Sequence, residues 1–102
     1  MFAIRLLSLE CRGPDGERLG EIVVDNFRER FLCREASGNP DKLEGTWRAE
    51  LAGLVSGGLV AVLRHDPRFA WLVYREGDLV SEWPTNVAAI RQFLDDEPDL
   101  TA

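Results

Sequence analysis

Asp41 to Gly58 read DKLEGTWRAELAGLVSGG, and the reading of this stretch decides the fold. Its apolar residues Leu43, Trp47, Leu51, Leu54 and Val55 recur every three or four positions, the period of a helix with one apolar face. Ser37-Gly38-Asn39-Pro40 before it is loop chemistry, and either Asn39 or Asp41 is a suitable cap. Gly45 and Gly53 each cost about 1 kcal/mol of helix propensity relative to Ala, so burial of the Trp47 and Leu51 stripe must supply the stability. Gly57-Gly58 stops the helix.

On both sides of this helix the period drops from about 3.6 to 2. Upstream, Phe2 to Cys11 alternates for part of its length, and Gly13-Pro14-Asp15-Gly16 turns the chain into a run from Leu19 to Asp25. Asn26 breaks that run, and a third strand follows from Phe27 to about Arg34. Downstream, Leu59 to Arg64, Phe69 to Arg75 and Leu79 to Trp83 are three further strands. His65-Asp66-Pro67-Arg68 joins the first two, and a tight turn at Glu76-Gly77 joins the second and third. Pro84 ends the last strand, and Thr85 or Asn86 caps a second helix with Val87, Ile90, Phe93 and Leu94 on one face. The expectation is an α+β domain in the order βββαβββα, with a mainly antiparallel sheet of five or six strands and the long helix packed on one face.

With 102 residues, 45% of them apolar, the chain has room for one core and one domain. That domain is expected over residues 1–94, followed by an acidic flexible tail over 95–102. Its longest apolar runs, Leu59 to Leu63 and Phe69 to Tyr74, fall far short of the roughly 20 residues a membrane helix needs. Met1 to Leu9 has no cleavable signal pattern, so a cytoplasmic protein with no membrane partner is expected.

The net charge of −6 is unevenly spread: residues 1–34 balance six basic against six acidic groups, so the whole excess lies after residue 34. Four of the acids, Asp95, Asp96, Glu97 and Asp99, crowd the C-terminus, which leaves the body near −2. Nucleic-acid binding needs a clustered basic face, and the arginines here are interleaved with acids, so no nucleic-acid partner is expected.

Chemistry-bearing residues are few. His65 is the sole histidine, it falls in the predicted turn, and solvent exposure is its expected state. No nucleophile is set beside it by local spacing. Cys11 and Cys33 read as half-buried apolar side chains in a reducing compartment, with a disulfide between neighbouring strands as the alternative. Zinc needs four ligands and finds no such set. Glu76 and Asp78 flank a hairpin tip, an exposed position, whereas a catalytic carboxyl pair needs a partly buried site. No catalytic residue, metal or cofactor is expected.

Aromatic and arginine content near the later hairpins stands out: Phe69, Trp71, Tyr74, Arg75 and Trp83 are residue types enriched at interface hot spots. Alternation puts Phe69, Trp71 and Val73 on one face of their strand and Leu72 and Tyr74 on the other. A fully buried central strand and an interface account for this equally well. Together with the charge distribution, it points to Tyr74, Glu76, Asp78, Glu82 and Trp83 as the partner-binding residues.

Leu19-Gly20-Glu21-Ile22, Phe27-Arg28-Glu29-Arg30-Phe31, Trp47 with Leu51 to Gly57, Asp66-Pro67-Arg68 and Tyr74-Arg75-Glu76-Gly77-Asp78 form a pattern over residues 2–80. This pattern resembles small bacterial immunity proteins of contact-dependent growth inhibition and related polymorphic-toxin systems. The resemblance implies a protein that is not an enzyme, binds a cognate toxin domain in the cytoplasm and blocks its active site or substrate access. Toxins of such systems are often nucleases with basic substrate sites, toward which an acidic inhibitor is steered. The alternative is a non-enzymatic housekeeping domain, or one that self-associates as a homodimer through a strand edge.

Overall fold

A computed structural model describes residues 1–8, 13–14, 16–34, 40–81 and 85–96. Three strands come first, β1 (Phe2–Leu6), β2 (Arg18–Val24) and β3 (Phe27–Cys33), then helix α1 (Pro40–Val55). Strands β4 (Val60–Asp66), β5 (Phe69–Glu76) and β6 (Leu79–Val80) follow, and helix α2 (Val87–Asp96) ends the described chain. The order βββαβββα and the antiparallel pairing agree with the reading from sequence. α2 takes in Asp95 and Asp96, the first two residues of the expected tail, and residues 97–102 lie outside the described residues.

Local chemistry explains the element ends. Pro40 opens α1 at the position where its missing N–H costs nothing, so Asp41 lies inside the helix, and Asn39, the other expected cap, lies outside the described residues. At the other end Gly58 N donates to Gly53 O (2.9 Å) and Gly57 N to Leu54 O (3.2 Å), a Schellman closure with Gly57 at φ +122°. Asn86 caps α2, its Oδ1 accepting from Ala89 N at 3.1 Å. β1 is shorter than expected, ending at Leu6, while residues 9–12, Cys11 among them, lie outside the described residues.

The expected single sheet of five or six strands is instead two sheets of three, in the orders β1-β2-β3 and β4-β5-β6. The cause lies in α1. Two polar side chains of the helix occupy the edge of β4 that a strand from the first sheet would need. Glu50 Oε1 accepts from Val62 N (2.9 Å), and Trp47 Nε1 donates to Arg64 O (2.8 Å). Glu44 does the same for the first sheet, accepting from Leu6 N at 3.1 Å on the outer edge of β1. Only the end of β3 reaches β4, where Arg34 N donates to His65 O at 2.8 Å. The β4–β5 register shifts between Arg64 and Asp66 at this same point.

His65 therefore departs from its expected place in an exposed turn. It belongs to β4, is half-buried, and packs its ring 4.6 Å from Phe31 and 6.3 Å from Trp71. Its Nδ1 lies 2.9 Å from Leu32 O, and since a carbonyl only accepts, Nδ1 carries the proton. The ring bridges the two sheets.

The inner faces of both sheets and the two helices share one core. Phe2, Ile4, Ile22, Val24 and Phe31 come from the first sheet, and Ala61, Leu63, Val73 and Val80 from the second. Trp47, Leu51 and Leu54 enter from α1, and Ile90 and Phe93 from α2. Gly20 faces Phe31 across the β2–β3 ladder, and a Cβ there would stand 2.6 Å from the Phe31 ring. The absent side chain makes room for the aromatic cluster at the junction of the sheets.

Because Glu50 satisfies a backbone donor on a strand edge, its removal has a defined cost. Glu50→Ala leaves the Val62 N–H without its acceptor in a part-buried setting and is expected to destabilise by about 1–3 kcal/mol. Glu50→Gln keeps an acceptor oxygen and should restore most of that loss. Urea midpoints of the two variants are the check, and equal destabilisation by Ala and Gln would mean that the bond to Val62 contributes nothing.

Candidate partner-binding face

The second sheet turns one face to the core and leaves the other uncovered. Alternation along β4 and β5 sends Ala61, Leu63 and Val73 inward, where all are buried. Val60, Val62, Leu72 and Tyr74 point outward and meet across the ladder, Val60 opposite Tyr74 and Val62 opposite Leu72. Leu79 joins them through its pairing with Glu76. An outward sheet face normally carries polar residues. Here Val60, Leu72, Tyr74 and Leu79 are 42%, 44%, 49% and 62% exposed and form one contiguous apolar strip.

The strip has a charged rim. Arg64 follows Val62 along β4, Glu76 ends β5 and Asp78 lies in the β5–β6 turn, all three exposed. That turn is tight: Glu76 pairs with Leu79, and Gly77 takes φ +62° between them. Arg75 fixes it to the end of α1, with Nη1 donating to Leu54 O (2.8 Å) and Val55 O (3.1 Å) and Nε donating to Gly77 O (2.6 Å). Those carbonyls belong to the last turn of α1, where Gly57 N is the other donor to Leu54 O. One guanidinium thus adds to the helix cap and ties the turn to the end of α1.

Of the five residues expected to bind a partner, Tyr74 and Glu76 lie on this face and Asp78 at its tip, while Glu82 and Trp83 lie outside the described residues. Sequence reasoning did not select Val60, Val62, Leu72 or Leu79. The available signal was the bulk on both faces of residues 69–74. Its two explanations separate here: Val73 is buried and Trp71 half-buried, whereas Leu72 and Tyr74 face outward in the open.

The other candidates for chemistry have structural settings. The His65 ring is engaged by Leu32 O and the aromatic cluster. Burial pushes the Cys33 thiol up to about 11, so it stays protonated near neutral pH and is a poor nucleophile. Asp66 accepts from Arg68 N at 2.9 Å and shapes the β4–β5 turn. Among the described residues no three His, Cys, Asp or Glu side chains are grouped to hold a metal, and no helix is long and apolar enough to cross a membrane.

The sequence matches no protein-family description and no curated protein. Its fold does match a solved structure, a chain of the "CdiA-CT/CdiI toxin and immunity complex from Enterobacter cloacae". The TM-score is 0.57 at 16% sequence identity, over 91% of this chain and 77% of that one. The likeness at that identity is one of fold, and it agrees with the resemblance to immunity proteins read from the sequence.

Proposed function

We propose that this chain is an immunity protein that binds and neutralises a cognate bacterial toxin domain in the cytoplasm, with a nuclease as the expected kind of toxin. The observation that carries the reading is the uncovered apolar strip of Val60, Leu72, Tyr74 and Leu79 beside the acidic tip of Glu76 and Asp78. The fold shared with a chain of a toxin and immunity complex supports it. The role is binding and not catalysis. Apolar residues and Tyr74 supply the desolvated centre of the interface, and Glu76 and Asp78 supply a rim complementary to a basic substrate site. The net charge of −6 steers the encounter. Glu82 and Trp83, next in sequence to the tip, extend the same contact in this reading.

A cell test follows. Co-expression with the toxin domain encoded immediately upstream is expected to restore growth, and Leu72→Glu, which puts a charge at the centre of the strip, is expected to abolish the rescue while the protein still accumulates. Growth inhibition that persists with the parent chain, or full rescue by Leu72→Glu, would overturn the reading.

A further inference from the structure

A second surface, away from the apolar strip, has the chemistry of a strand acceptor. In the described residues the other strand edges carry some cover. Glu44 caps β1 at Leu6, Glu50 and Trp47 occupy β4, and Val80 N and Asp78 O bond to Thr85 O and Val87 N beside β6. The outer edge of β3 is covered only at its end, by the bonds of Leu32 O and Arg34 N to His65. Backbone alternation turns the N–H and C=O of Arg28 and Arg30 the same way as those of Leu32 and Arg34. Among the described residues nothing bonds to them, and residues 27–30 are all exposed.

The side chains along this edge select what can add to it. On the face turned away from Phe31, Arg5, Glu21 and Arg30 form one cross-strand row, and in the next Arg28 stands opposite Val23, which is buried between it and Ala3. The Glu21 side chain is 10% exposed and is shared at long range, 3.4 Å from Arg28 Nη1 and 3.8 Å from Arg30 Nε. One carboxylate is shared by two guanidiniums, those of Arg28 and Arg30, which are 64% and 59% exposed. The patch is locally cationic on a chain whose net charge is −6.

A second copy of the chain is a poor occupant. Antiparallel pairing of β3 with itself about Glu29 sets Arg28 against Arg30 of the other copy and Glu29 against Glu29, and shifting the axis to Arg28 sets Arg28 against Arg28. Like charges directly opposite are destabilising. The charges that protect the edge from self-pairing also define its complement.

We infer that the Arg28–Arg30 edge of β3 accepts an extended segment of another protein, one that carries two acidic side chains two residues apart. The added strand takes its backbone bonds from Arg28 and Arg30 and sets its carboxylates against their guanidiniums on the outer face. Its intervening side chain lies by Phe27 and Glu29 on the other face, where an apolar or basic residue fits. Backbone bonds supply affinity in this mode and the alternating side chains supply selection. This inference stands apart from the toxin reading, since it uses the other sheet and the opposite charge.

The test uses the full chain and fluorescein-labelled eight-residue peptides, read by polarisation at low and high salt. One peptide alternates Glu with Val, and its counterpart alternates Lys with Val. The first is expected to bind at least about 10-fold tighter than the second, and Arg28→Glu with Arg30→Glu is expected to reverse that preference. N-methylation of the Glu–Val peptide on alternate backbone nitrogens separates strand addition from simple attraction. Methylation in one phase should weaken binding by about 10-fold or more, while the opposite phase has little effect. That arm leaves the protein unmodified. Absence of binding, equal affinity for the Glu and Lys peptides, or equal affinity of the two methylated phases would overturn the inference.

Discussion

Trp47→Ala is expected to cost about 3–5 kcal/mol of folding stability, a large part of the roughly 5–15 kcal/mol that a domain has. Trp47 is 1% exposed, meets the Phe31 ring edge to face at 5.8 Å, and donates from Nε1 to Arg64 O at 2.8 Å. Truncation opens a cavity where α1, β3 and β4 converge and leaves the Arg64 carbonyl without its donor. Trp47→Phe keeps an aromatic ring against Phe31 and removes the N–H, so it should lose clearly less than the Ala variant. Urea unfolding followed by circular dichroism checks both. An Ala variant as stable as the parent would remove Trp47 from the core and break the link between helix and sheets.

The largest expected effect on binding comes from Leu72→Ala combined with Tyr74→Ala. Affinity for the toxin domain should fall by about 30-fold or more, the roughly 2 kcal/mol expected of a central anchor, and most of the change should appear as faster dissociation. Folding stability should hardly change, because the two side chains are 44% and 49% exposed. Neutralising the rim with Glu76→Gln and Asp78→Asn should instead slow association several-fold at low salt and lose its effect at high salt. Kinetics at two ionic strengths distinguish these patterns, and a double Ala variant that dissociates as slowly as the parent would put the anchor elsewhere.

What the sequence disclosed and what it withheld divide along a physical line. α1 was legible because Leu43, Trp47, Leu51 and Leu54 repeat at the helical period and because Gly57-Gly58 closes the helix through local backbone bonds. The β5–β6 turn was legible because Gly77 supplies its positive φ. The split into two sheets was not, since it depends on Glu44 and Glu50 reaching backbone donors 38 and 12 residues away in the chain, and a helical Glu ordinarily reads as a solvated one. His65 was misread for a related reason. Its neighbours Asp66-Pro67 signal a turn, but the register shift keeps it in β4 against Phe31, a contact that no local pattern encodes. In the candidate face, Tyr74 and Glu76 were visible as an aromatic and an acid near a hairpin tip. The strip itself needed the register, because Val60 and Leu79 lie at opposite ends of the segment and come together only through pairing with β5.

If the outer face of the second sheet receives the toxin, methyl and amide chemical-shift mapping of the labelled chain, titrated with the toxin domain encoded beside it, will show the contact on that face. Perturbations are expected to centre on Val60, Val62, Leu72, Tyr74 and Leu79, to fade through Glu76 and Asp78, and to leave α2 and β1 unchanged. A footprint centred on α2 or the first sheet, with Leu72 and Tyr74 unperturbed in a saturated complex, would contradict it.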